Sequence, residues 1–125
     1  MATNVPFLLI LKTALLANST ATVSYAVPPA EDLFLEDMRV ASTGAFSITN
    51  IRNSNGRPYS NASSAVAIPS TVLAFGNTNT QGFNVFSVPL MIAGSETILF
   101  DLIDTSGAGN TVSILVSCNR LIKVS

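Results

Sequence analysis

Short runs in which apolar side chains recur at every second position dominate the chain from residue 21 onward, and clusters of Gly, Pro, Asn and Ser separate them at close spacing. A period of two is what a strand with one buried face requires, because successive side chains leave opposite faces of the pleat. Residues 21–27 place Val23, Tyr25 and Val27 on one face, and Pro28 and Pro29 end the run. Residues 32–41 read as a second strand with Phe34, Met38 and Val40 on one face, although Glu31, Asp32, Glu36 and Asp37 leave a short helix in competition. Residues 45–51 alternate again. Asn55-Gly56 follows, a pair that supplies the positive φ of tight reversals, so the chain is expected to turn back into a partner strand over residues 62–68 that stops at Pro69.

Further along, residues 71–75 are apolar, and residues 76–82 hold no apolar side chain and two glycines. That segment reads as a solvent-facing loop, with Asn77, Thr78, Asn79, Thr80 and Gln81 as its candidate exposed surface. Residues 83–92 and 97–103 give two more strands joined across residues 93–96. In the last two runs Ile98, Phe100 and Leu102 share one face, as do Val112, Ile114, Val116 and Cys118, and the turn-rich linker 105–110 predicts that these strands pair as a hairpin. The total is about eight strands without a long helical period, which predicts an all-β, jelly-roll-like antiparallel sandwich.

The first seventeen residues form a separate unit, followed by a sandwich domain over residues 18–125. Their apolar stretches, 7–11 and 13–17, resemble the core of a secretory leader, but no positive charge precedes them and Lys12 interrupts them, so the segment is expected to be retained. It is also too short for the roughly 20 apolar residues of a membrane span. Two roles remain: the first strand of a sheet, or an extended arm that adds a strand to a neighbouring subunit and covers its open edge. Phe7, Leu8, Leu9, Ile10, Leu11, Leu15 and Leu16 are the candidate contact residues.

Composition narrows the chemistry. The chain has no histidine, no tryptophan and one cysteine, and 10% of its 125 residues are charged. Histidine-dependent triads and histidine metal sites are thereby excluded, and no catalytic residue, metal ligand or cofactor is expected. Six basic against seven acidic residues leave a net charge of −1, too little cationic field to hold a phosphate backbone, so nucleic acid is not an expected partner, and neither is a membrane. With 48% apolar residues and so few charges, a free monomer would be marginally soluble, and a surface covered by neighbours is expected. The single Cys118 lies in an apolar run and reads as a small buried hydrophobe.

The remaining polar residues offer weaker alternatives. Asp104, Ser106 and Asn110 carry oxygen atoms suited to calcium but lack the dense acidic spacing of a calcium loop, and turn capping explains them. Among Glu36, Asp37, Glu96 and Asp101 nothing marks a pair for glycoside hydrolysis, so an enzyme is not expected. Arg52 and Arg57 flank the Asn55-Gly56 turn and read as solvated charges or an interface contact.

Three stretches, 42–48 (STGAFSI), 51–57 (IRNSNGR) and 99–110 (LFDLIDTSGAGN), occur in an order that resembles small head proteins of tailed bacteriophages. The resemblance spans residues 20–120 and implies a β-sandwich subunit acting as a capsid cement, decoration or minor capsid component on the virion surface. It also implies self-association as a homotrimer or other homo-oligomer, and contact with the major capsid protein or another virion protein. The rival expectations are a receptor- or glycan-binding module built on loops 76–82 and 105–110, and a repeating subunit of a fibre or tail tube.

Overall fold

The computed structural model describes residues 2–56, 58–59, 67–70 and 90–123. Among these residues eight strands are assigned: β1 (Ala2–Leu15), β2 (Thr20–Ala26), β3 (Glu31–Ser42), β4 (Phe46–Asn53), β5 (Ile68–Pro69), β6 (Leu90–Ile92), β7 (Thr97–Asp104) and β8 (Asn110–Lys123). They form two antiparallel four-stranded sheets, ordered β1-β8-β3-β6 and β2-β7-β4-β5. Four of the pairings are nested, β1 with β8, β2 with β7, β3 with β6 and β4 with β5, so the second half of the chain runs back along the first. Rolling that long double ribbon into two layers adds the β3–β8 and β4–β7 contacts. This is the jelly-roll topology.

The period-two pattern sets which faces meet. Strand β7 alternates without exception between half-buried and buried positions, and Ile98, Phe100 and Leu102 point inward with no exposure. Opposite them stand Val112, Ile114, Val116 and Cys118 of β8, also buried. Leu33, Leu35, Met38, Val40, Phe46, Ile48, Ile51 and Ile92 complete the layer between the sheets. Each such side chain contributes about 1.5–3 kcal/mol on leaving water, before the entropy of ordering is deducted.

Several details depart from the sequence expectations. Strands β7 and β8 do not form a hairpin. Their apolar faces pack across the core from opposite sheets, because the linker between them turns a corner from one layer to the other. In β3 the face is carried by Leu33, Leu35, Met38 and Val40, while Phe34 is half-buried and falls on the other side. The cause is a bulge: Leu35 pairs with Cys118 and Asp37 with Ser117, leaving Glu36 as an extra residue that switches the parity. The same device in β4 leaves Thr49 between Ile48, opposite Leu102, and Asn50, opposite Asp101.

The reversal at Asn55-Gly56 is present, with Gly56 at φ +83° and its N–H donating to the Asn53 carbonyl at 3.0 Å. The returning chain touches β4 through Arg52 opposite Pro58 and later as the short β5, whereas most of the expected strand 62–68 lies outside the described residues. Residues 71–75, the loop Asn77 to Gln81 and the expected strand 83–92, apart from β6, lie outside them as well.

The N-terminal segment is the first strand of its own sheet. β1 pairs with β8 in an unbroken register from Ala2 opposite Lys123 to Leu15 opposite Asn110. Leu9, Leu11 and Leu15 are 3%, 8% and 2% exposed and belong to this chain's core, so they are not contacts held ready for a neighbour. An arm free to leave the domain would take them with it. Deleting residues 1–17 is therefore expected to destroy the cooperative fold, with circular dichroism showing no thermal transition; a truncated protein melting near the full-length midpoint would contradict this placement.

Candidate functional site

Alternation along β1 sorts the seven expected contact residues. Leu9, Leu11 and Leu15 are inside, and Phe7 turns inward and is half-buried against the core. There its ring centroid lies 5.7 Å from that of Tyr25, the two rings tilted by 39°, and it lies under the Arg120 guanidinium at 4.8 Å, with Glu31 3.8 Å from that cation. Leu8 and Ile10 face out at 53% and 54% exposure, and Leu16, in the turn after β1, is 76% exposed. Leu8 and Ile10 sit in the middle of an edge strand whose pairing partner among the described residues is β8 alone.

Next to these two leucine-sized side chains the outer face of the sheet is uncharged, and one strand further in, on β3, it carries the Asp37–Arg39 ion pair at 2.8 Å. Ser117 stands opposite Leu8, Leu115 opposite Ile10 and Ser113 opposite Lys12. A shallow depression over β1 and β8 is lined by Pro6, Leu8, Glu36, Ser117 and Asn119. The Glu36 carboxylate, raised by the β3 bulge, accepts a 2.7 Å hydrogen bond from Asn119 Nδ2. On the far edge of the same sheet Met91 is 50% exposed opposite Phe34.

The other sheet presents a different surface. Thr20, Thr22 and Ser24 of β2 are exposed, and Arg52 binds Asp101 through Nε at 2.9 Å and Nη2 at 3.2 Å. Thr22 donates to the same carboxylate at 2.7 Å. The Arg52 bond holds Asp101 below the usual carboxylate range, against the opposing effect of its partial burial. The four carboxylates considered for hydrolysis are thus dispersed. Glu36 and Asp37 lie on β3 and Asp101 on the opposite sheet, while Glu96 accepts from Asn53 at 3.0 Å and from the Ala93 N–H at 3.1 Å.

The 105–110 loop, the described part of the expected sugar-binding surface, directs its polar groups at itself. The Asp104 carboxylate accepts from Ser106 Oγ at 2.6 Å, Asn18 N at 2.9 Å, Gly107 N at 3.0 Å, Ser106 N at 3.2 Å and Asn110 Nδ2 at 3.3 Å. Asn110 also donates to the Gly44 and Ala45 carbonyls and accepts from Thr43 Oγ1 and Gly44 N. Gly44 is required there, since a Cβ would stand 2.9 Å from Ser106 Cβ. Among the described residues no group of three acidic or cysteine side chains is placed to hold a metal ion. Cys118 is buried, and burial pushes its thiol up to about 12.

No family model, curated protein or solved structure matches the chain. What the site offers is a binding surface: a strand edge that no described residue pairs with, with two exposed aliphatic side chains at its centre. Sequence reasoning found Leu8 and Ile10, but not the roles of Lys12, Glu36 and Asn119 beside them. A bulge that brings Glu36 to this face leaves no mark in the alternation except its failure.

Two measurements check this account. The Ser106 hydroxyl and the Asn18 N–H, with the three other donors, hold the Asp104 carboxylate well below its usual range, so its contribution is complete above about pH 4 and is lost as the pH falls toward its native value. Asp104→Asn should lower the thermal midpoint at pH 7, and the gap from wild type should narrow below about pH 4; a pH-independent gap would contradict it. Cys118 should resist alkylation by iodoacetamide at pH 8 in native protein and react fully once the protein is denatured.

Proposed function

We propose that the protein is a non-enzymatic structural subunit of a virion, a cement or minor capsid component that stabilises a shell through contacts between protein copies. The observation that carries this reading is the exposure of Leu8 and Ile10 at the centre of a sheet edge left open among the described residues, in a chain with few charges to keep copies apart. Exposed aliphatic groups on a strand edge gain by being covered. A specific interface removes roughly 1,200–2,000 Å² from water, and its apolar part contributes about 25 cal/mol per Å² before association costs are deducted.

The topology is compatible with this role, since jelly rolls occur in viral capsid domains, but they also occur in lectins, so fold alone decides nothing. The resemblance of residues 20–120 to phage head proteins directs the proposal to a virion. The described part of the loop surface favours adhesion over sugar binding, because Asp104, Ser106 and Asn110 hold one another. A subunit lending its first strand to the next copy along a fibre is disfavoured by the place of β1 in its own sheet.

Mass spectrometry and electron microscopy of purified particles test the reading. The chain is expected in stoichiometric amounts on the shell, and its absence from particles would overturn the proposal. A Leu8→Asp/Ile10→Asp double variant should keep a thermal midpoint close to wild type, because both sites are exposed, yet enter particles at least about tenfold less.

A further inference from the structure

We propose that β1 pairs edge to edge with β1 of a second copy, about a two-fold axis at Leu9, joining the β1-β8-β3-β6 sheets of two protomers into one eight-stranded sheet. The inference deepens the assembly reading given above and rests on it, by naming the partner surface as the protein itself.

Three observations converge. First, β1 is long and regular: its fourteen residues pair with β8 without a register shift, so no bulge twists the edge away from an incoming strand. The outward N–H and C=O groups of such an edge seek a ladder partner. Second, the exposed apolar pair Leu8 and Ile10 is centred on this edge. Third, the outer face carries an unmatched charge of each sign. Lys12 is exposed and makes no ion pair among the described residues, and Glu36, bonded to Asn119, faces no cation there.

One register satisfies all three. Opposed residues of an antiparallel pair project to the same side, so a continuous outer face requires that even-numbered positions meet even-numbered ones. An axis at Leu9 sets Leu8 against Ile10 of the second copy and Ile10 against its Leu8, giving four aliphatic side chains in one strip. The same axis sets Lys12 against Pro6 of the second copy. Pro6 stands opposite Asn119, which holds Glu36, so Lys12 arrives level with that carboxylate and about two strand spacings, roughly 10 Å, from it. An extended lysine and a glutamate leaning over Asn119 close that gap together. The two-fold makes the contact twice. Pro6 has no N–H, so each end of the new ladder lacks one donor, which concentrates the pairing at residues 8–10 and keeps it reversible.

Sedimentation equilibrium of the purified full chain over a concentration series tests the pairing. Wild type should dimerise. Lys12→Glu alone and Glu36→Lys alone should each weaken the dimer about tenfold or more, since each places like charges together at both ends. An equimolar mixture of the two single variants should restore dimers, because every contact then joins unlike charges again, and a variant that had merely lost its fold would not be rescued this way. A wild-type chain that stays monomeric overturns the inference, as does a dimer that neither single variant weakens. These results concern the isolated protein, whereas the virion reading fails on absence from particles, so the two failures are separable.

Discussion

The fold depends on the ladder between the first and last strands. β1 and β8 are each fourteen residues long and pair along their whole length, so the ends of the chain are held side by side. Every other nested pairing sits inside that closure, and β8 also forms the seam to β3. The contacts that define the domain therefore join residues far apart in sequence, from Ala2 with Lys123 down to Ser47 with Pro69. Loop closure of this kind must be met before the core rewards it, which places the protein among slow-folding, high-contact-order topologies.

Rolling a double ribbon into two layers creates corners, and corners expose backbone groups that the ladders no longer satisfy. Side chains take over there. Asp104 gathers the N–H groups of Asn18, Ser106 and Gly107 where β1, β7 and the 105–110 loop meet. Asn110 spans from that loop to the backbone at Gly44 and Ala45. At another corner Asp32 accepts from the Gly94 N–H and from Lys123, and the Gly94 bond chiefly holds its carboxyl below the usual range. Four of the charged side chains, Asp32, Glu96, Asp104 and Lys123, serve such joints. Loss of the carboxylate charges at low pH weakens the corners while the apolar layer between the sheets is unaffected.

Much of this was legible from alternation. The faces of β2, β7 and β8 are the ones the pattern names, because each alternates strictly over the residues that pattern covers, in β8 as far as Cys118. Parity fails where a residue is added: Glu36 and Thr49 are bulges, and the misplacement of Phe34 follows from the first. The assignment of strands to sheets was not legible at all. A turn-rich linker such as 105–110 serves equally for a hairpin and for a passage between layers, and the difference lies in whether the flanking strands share hydrogen bonds or face each other across a core. Local chemistry fixes the turn, whereas burial of both apolar faces fixes the sheet. For the same reason residues 7–11 suit an arm and a first strand alike, until Leu9 and Leu11 are found opposite Val116 and Ile114 of the same chain.

The two outer faces differ in how their charges are matched, and that difference underlies the proposed pairing. On the β2-β7-β4-β5 sheet the central charges are matched within one protomer: Arg52 and Asp101 neutralise each other, Thr22 and Thr49 bond to Asp101, and the edge strand carries hydroxyls that water serves well. On the β1-β8-β3-β6 sheet the cation and the anion nearest the edge are several residues out of step within one protomer, Lys12 opposite Ser113 and Glu36 beside Asn119. No rotamer of a single copy joins them across that distance. A two-fold operation removes the offset, because it reverses the direction of the strand and so exchanges the early end of β1 for the late one. In the proposed pair an offset that one molecule leaves unmatched becomes complementarity between two, and the aliphatic pair at the axis supplies the contact that makes the approach favourable.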